Sequence, residues 1–85
     1  MIPKFHRRFI KQYRKASVTT RKKCDERLLL FEKELFHPQL DNHPLKGKYI
    51  GYRSINITGN WRAVYRPLDD TTAYFVYLGT HSQLY

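Results

Sequence analysis

Trp61-Arg62-Ala63-Val64-Tyr65-Arg66, the four residues Pro67-Leu68-Asp69-Asp70, and the run from Thr72 to Leu78 decide the fold. The first six alternate: Trp61, Ala63 and Tyr65 fall on one side of an extended chain, Arg62, Val64 and Arg66 on the other. A proline and two aspartates separate them from a second run rich in β-branched and aromatic residues, closed by Gly79, so the segment reads as two strands and the turn between them. Tyr49–Ile57 upstream has the same composition and ends on the turn signal Thr58-Gly59-Asn60. Three consecutive strands joined by short turns make an antiparallel meander. Residues 37–48, with Pro38, Pro44 and Gly47, read as a loop.

Before that loop the period changes. Phe5, Phe9, Ile10 and Tyr13 recur at helical spacing, and Cys24, Leu28, Phe31 and Leu35 follow at steps of four, three and four, with Leu29, Leu30 and Phe36 widening the apolar face. Ala16-Ser17-Val18-Thr19 interrupts the two patterns, Thr19 or Thr20 is placed to cap the second, and His37-Pro38 ends it because the residue before proline is pushed out of the α region. So short a break predicts an antiparallel helical hairpin. Ile2–Phe5 suits a short edge strand, where Pro3 is tolerated. Residues 1–85 are thus expected to form a single α+β domain: the hairpin packed on one face of an antiparallel sheet of three to four strands, with Arg, Lys, His and Tyr on the other face.

Sixteen Lys and Arg against seven Asp and Glu give a net charge of +9, which points to an anionic partner and says nothing about fold. The single cysteine, Cys24, excludes an internal disulfide and fits a small core position. Apolar runs stay far below the roughly 18 residues that span a bilayer, and Met1–Arg8 is too polar for a signal-peptide core, so no membrane role and a cytoplasmic location are expected. Neither Cys24 nor the histidines have metal-ligand spacing, so no metal or other cofactor is expected.

Four ordered groups in the C-terminal half carry a resemblance. They are His43-Pro44-Leu45 with Gly47; Gly51-Tyr52-Arg53; Asn60-Trp61-Arg62 with Tyr65; and Gly79-Thr80-His81-Ser82 with Leu84 and Tyr85. Together they resemble the RelE/ParE superfamily and, within it, the YafQ-like branch. The resemblance is strong over residues 43–85 and one of pattern over the helices. It implies a toxin of a type II toxin–antitoxin pair, acting as a ribosome-dependent endoribonuclease that cuts mRNA in the decoding site. It also implies a cognate antitoxin that binds and silences the toxin in a hetero-oligomer, and a curved sheet with two helices on one side.

RNA can be cut without metal when a base takes the 2′-hydroxyl proton, an acid protonates the leaving 5′-oxygen, and a cation balances the charge on phosphorus. Histidine suits both proton transfers. The resemblance makes His81 general acid or base, and His43 its counterpart or a phosphate ligand. Arg53 and Arg62 are candidates to hold the phosphate through bidentate guanidinium contacts, with a structural role in the sheet the alternative for Arg53. Tyr85 is implied to stack on a base or assist proton transfer, unless the terminus frays. Lys46 and Lys48 stand beside His43 as RNA-backbone contacts, and Trp61 either stacks on a base or packs into the sheet. The first helix segment, residues 4–15, carries Lys4, Arg7, Arg8, Lys11, Arg14 and Lys15 with no acidic residue. Such a face, Arg7, Arg8 and Lys11 included, suits ribosomal RNA phosphates or an acidic antitoxin segment.

The sequence departs from the YafQ-like pattern at three positions: Asn56 where His is frequent, Asn60 where Asp is frequent, and Tyr77 where Arg is frequent. Asn60 cannot act as a base, and Tyr77 cannot clamp phosphate as a guanidinium does. Two alternatives therefore stand beside the nuclease: a ParE-like gyrase-binding toxin, and a catalytically weakened relative that binds only RNA or antitoxin.

Overall fold

The computed structural model describes residues 1–84. Five strands and three helices follow one another as β1 (Ile2–Phe5), α1 (Arg7–Lys15), α2 (Val18–Lys33), β2 (His43–Pro44), β3 (Arg53–Asn56), β4 (Trp61–Pro67), β5 (Thr72–Thr80) and α3 (His81–Leu84). The sheet order is β1-β5-β4-β3-β2. The meander β2-β3-β4-β5 is antiparallel as expected, while β1 lies parallel to β5, pairing Ile2 with Thr72 and Phe5 with Phe75. The sheet is therefore mixed, and it has one strand more than the sequence suggested. The extra strand is β2, two residues of the segment read as loop; so short a strand containing Pro44 leaves no periodicity to detect.

Local chemistry sets the other boundaries. Ser17, rather than Thr19 or Thr20, caps α2: its hydroxyl accepts the Thr20 N–H at 3.1 Å. Helix α2 stops at Lys33, before the expected His37-Pro38. His37 instead caps a 3-10 turn over Pro38–Leu40, its ring accepting the Gln39 N–H at 3.0 Å. Strand β3 is shorter than Tyr49–Ile57 because positive φ at Gly47 and Gly51, +65° and +90°, turns the chain through Tyr49 and Tyr52 first. Strand β5 runs past Leu78 to Thr80 because Gly79 pairs with Arg62, and a β-carbon on Gly79 would lie 3.0 Å from the Gln83 Oε1.

The helices meet the sheet through an aromatic centre. Phe75 packs against Tyr65 and Phe9 at tilted angles and against Phe31 edge to face, with ring centroids 5.1, 5.7 and 5.2 Å away, and Cys24, Ile55, Ala63 and Leu78 are also in the core. Phe75 and Leu78 are three residues apart, so strict alternation would put them on opposite faces. A bulge resolves this: Ala63 pairs with Leu78 and Tyr65 with Phe75, leaving one residue on β4 against two on β5. Burial pushes the Cys24 thiol up to about 12, as suits a small core side chain. Leu29 and Phe36 do not widen the core as expected; they are 60% and 63% exposed. Two contacts clip the helical hairpin: the Tyr13 hydroxyl donates to Asp25 at 2.7 Å, and the Arg21 guanidinium donates to the Ala16 carbonyl at the end of α1.

The opposite face is less polar than expected. Leu45, Val64 and Leu84 form a second buried cluster there, flanked by Tyr49, Tyr52, Val76 and Tyr77, and this cluster seats α3 on the sheet.

Candidate active site

His43, Arg62 and His81 line one cleft of about 350 Å3, together with Asp41, on the sheet face away from the helical hairpin. Each arrives on a different element. Arg62 is on β4 facing away from Ala63 and Tyr65, as the alternation in that strand requires. Its Nη1 donates to the carbonyls of Thr58, Gly59 and Trp61 at 3.0–3.2 Å, which folds the side chain over the β3–β4 turn.

The loop before β2 sets His43. Asp41 takes a left-handed conformation, φ 45° and ψ 47°, which short polar side chains tolerate. The reversal brings the Asp41 carbonyl within 2.7 Å of the His43 Nδ1. A carbonyl only accepts, so Nδ1 carries a proton and Nε2 is left as the basic nitrogen of the neutral ring. The Asp41 carboxylate lies 3.8 Å from the same Nδ1.

His81 opens α3, and a reciprocal cap holds it there. Thr80 Oγ1 accepts the Gln83 N–H at 3.3 Å, while Gln83 Oε1 accepts the Thr80 N–H at 2.9 Å. This is a capping box, Thr80-His81-Ser82-Gln83, legible as a Thr-x-x-Gln spacing. The backbone N–H of His81 also donates to the Asn60 carbonyl at 2.8 Å, tying α3 to the turn that enters β4. Asn60 thus adjoins the cleft, and Asn56 pairs across the sheet with Arg62 and carries a buried amide oxygen that no donor among the described residues meets.

Arg53 is not brought to this cleft. It pairs with Tyr65 on the helix side of the sheet, where its Nε donates to Asn42 Oδ1 at 2.8 Å, while Asn42 Nδ2 donates to the Tyr65 hydroxyl at 2.9 Å and to the Leu35 carbonyl at 3.0 Å. Its guanidinium also lies over the Phe36 ring. The arrangement favours the structural alternative: Arg53 and Asn42 pin the loop that carries His43. Trp61 also faces the helix side, half-buried against the main core, and lines a shallow cavity with Gln12, Lys15 and Gln83. Tyr85 lies outside the described residues.

The basic residues divide. Arg7 and Lys11 are exposed along α1, and Lys46 is exposed ahead of the turn Gly47–Tyr49. Arg8 and Lys48 instead reach a second cavity next to the cleft, with Tyr49, Tyr52 and Tyr77. The acidic residues lie only within 25–41 and at 69–70, so the strands that build the cleft contribute Arg and His and no carboxylate. Sequence reasoning passed over Asp41, Asn42 and the tyrosines Tyr49 and Tyr52, because their part depends on two backbone reversals and on register. Among the described residues no three His, Cys, Asp or Glu side chains could hold a metal together, and no helix is long and apolar enough to cross a membrane.

A helical hairpin on one side of such a sheet, with a basic cleft on the other, is the build of the small toxins of type II toxin–antitoxin systems. A YoeB/ParE toxin from Agrobacterium tumefaciens superimposes with a TM-score of 0.77 at 21% identity, covering 95% of this chain and 99% of that one. YafQ from E. coli strain BL21(DE3) gives 0.70 at 24% identity over 98% and 96% of the two chains. The E. coli DinJ-YafQ toxin-antitoxin complex gives 0.67 at 25% identity over 98% and 94%. No curated protein matches the sequence significantly. The chain belongs to the YafQ toxins: the model of the family described as "Bacterial toxin of type II toxin-antitoxin system, YafQ" matches residues 1–85.

Proposed function

We propose that this toxin is a ribosome-dependent endoribonuclease that cuts translated mRNA by acid–base chemistry of its own side chains. The observation that carries the reading is the convergence of His43, Arg62 and His81 on one cleft, with Asp41 beside His43. His43 Nε2 takes the proton of the 2′-hydroxyl as the 2′-oxygen bonds to phosphorus. The phosphorus–5′-oxygen bond then breaks, His81 protonates the departing 5′-oxygen, and the products are a 2′,3′-cyclic phosphate and a 5′-hydroxyl. Arg62 has guanidinium nitrogens beyond the Nη1 held by the turn, and these balance the charge that grows on the phosphate. Tyr85 remains the proposed stacking residue at the end of the chain.

Arg7 and Lys11 on α1, with Lys46 near the cleft, supply sequence-independent contacts to ribosomal RNA or the mRNA backbone. A cognate antitoxin with an acidic segment is the natural silencer of this basic surface, as the DinJ-YafQ toxin-antitoxin complex suggests for a relative. Translating ribosomes as the target place the toxin in the cytoplasm.

Purified protein in a reconstituted translation reaction tests the reading. The expected result is cuts in the transcript only when ribosomes translate it, slowed about 10²–10⁴-fold in both His43→Gln and His81→Gln. Intact transcripts with soluble wild-type protein would overturn it, and DNA gyrase would be the next target to assay.

A further inference from the structure

The cleft has a neighbour that the three-residue chemistry does not use. Arg62, in the cleft, and Val64, two residues on, lie on the same face of β4 about 7 Å apart. Val64 belongs to the floor of a second cavity of about 160 Å3, walled by Tyr49, Tyr52 and Tyr77 and rimmed by Arg8 and Lys48.

Both rim cations rest on aromatic rings. The Arg8 guanidinium lies 5.0 Å from the Tyr77 centroid, and its Nε donates to the Val76 carbonyl at 3.0 Å. That carbonyl belongs to a residue of the β5 bulge, so the irregularity that keeps Phe75 and Leu78 in the core also offers Arg8 an anchor. The Lys48 ammonium lies 5.3 Å from the Tyr49 centroid, and Tyr49 meets Tyr52 edge to face at 6.5 Å.

We propose that this tyrosine-walled cavity is a nucleotide subsite: it takes the base that flanks the scissile phosphate, with Arg8 and Lys48 on the adjoining phosphate. The inference rests on the ribonuclease reading of the cleft and extends it along β4. Size favours one ring, since a cavity of roughly 150 Å3 accommodates a benzene-sized group. Charge and chemistry favour RNA: aromatic walls stack on any base, and two cations at the rim, Arg8 held by its hydrogen bond to Val76, suit a phosphodiester. Stacking is tolerant of sequence, so the subsite adds affinity and register more than base identity.

The test is an NMR titration of the full-length protein with dinucleoside monophosphates lacking the 2′-hydroxyl, which cannot be cut. Saturable shifts of the Tyr49, Tyr52 and Tyr77 ring signals and of the Arg8 Nε are expected. Tyr49→Ala should weaken binding about 5- to 100-fold, and Tyr49→Phe, which keeps the ring, should restore most of it. Lys48→Ala, on an exposed side chain, should weaken binding without risk to the fold. Shifts confined to His43 and His81, or equal affinity in Tyr49→Ala and the wild type, would overturn the subsite. So would saturation of the same tyrosine signals by an acidic aromatic peptide when the dinucleotides give none. Failure of the ribonuclease reading shows itself elsewhere, as intact transcripts in the translation reaction, because the titration needs no cleavage.

Discussion

Two arginines that look alike in sequence have separate work in the structure. Arg62 faces the histidine cleft, whereas Arg53 faces the helices and holds Asn42, which in turn holds the Tyr65 hydroxyl. Arg53→Gln and Asn42→Ala should each lower stability by about 1–3 kcal/mol in urea titrations, because half-buried partners lose their hydrogen bonds. Transcript cutting per folded molecule should fall in both, because the loop that carries His43 loosens, but less than in Arg62→Gln, which removes a group from the cleft itself. An Arg53→Gln protein of normal stability that cuts as poorly as Arg62→Gln would contradict this assignment. The sequence left Arg53 undecided because Gly51-Tyr52-Arg53 carries no mark of which face the arginine takes. Register settles it, and register depends on the positive φ at Gly51. The four histidines show the same limit: His6 and His37 accept N–H groups as helix caps, while His43 and His81 line the cleft.

Elements turn these residues into a site. The capping box of α3 fixes where His81 stands, and the second apolar cluster fixes α3 through Leu84. Thr80→Ala should cost about 1 kcal/mol or less of global stability yet slow transcript cutting far more than that cost implies, because the histidine loses its place. Thr80→Ser, which keeps the hydroxyl, should cut near the wild-type rate, and a Thr80→Ala protein with wild-type rates would show that the cap is dispensable. At this scale much was legible. The alternation of Trp61–Arg66 gave the correct sides for Ala63, Tyr65 and Arg62, and the helical spacing through Cys24 and Phe31 gave the core face of α2. The hidden parts were those without periodicity: the two residues of β2, the bulge at Val76, and the parallel partnership of β1 with a strand some seventy residues away in sequence.

The whole molecule separates two tasks by face. One side of the sheet buries the aromatic centre under α1 and α2, and the other carries the cleft, the tyrosine cavity and a surface built from strands without carboxylates. The net charge of +9 signalled an anionic partner from composition alone, but the placement of the acids within 25–41 and 69–70 matters only once the strands are arranged. Family membership rests on the full-length match, and the ordered motifs in residues 43–85 had already pointed to it. Asn56, Asn60 and Tyr77 are the positions at which the sequence reading expects differences from the YafQ-like pattern: Asn56 pairs with Arg62, the Asn60 carbonyl accepts the His81 N–H, and Tyr77 walls the neighbouring cavity. In the proposed function the His43–Arg62–His81 cleft cuts mRNA despite those differences. The most direct measurement is tightly induced expression of the wild type beside His81→Ala, with growth followed and transcript 5′ ends mapped. Growth arrest and new in-frame 5′ ends in translated mRNA are expected for the wild type, and neither for His81→Ala. Growth arrest without RNA cuts, or equal cutting by both proteins, would contradict it.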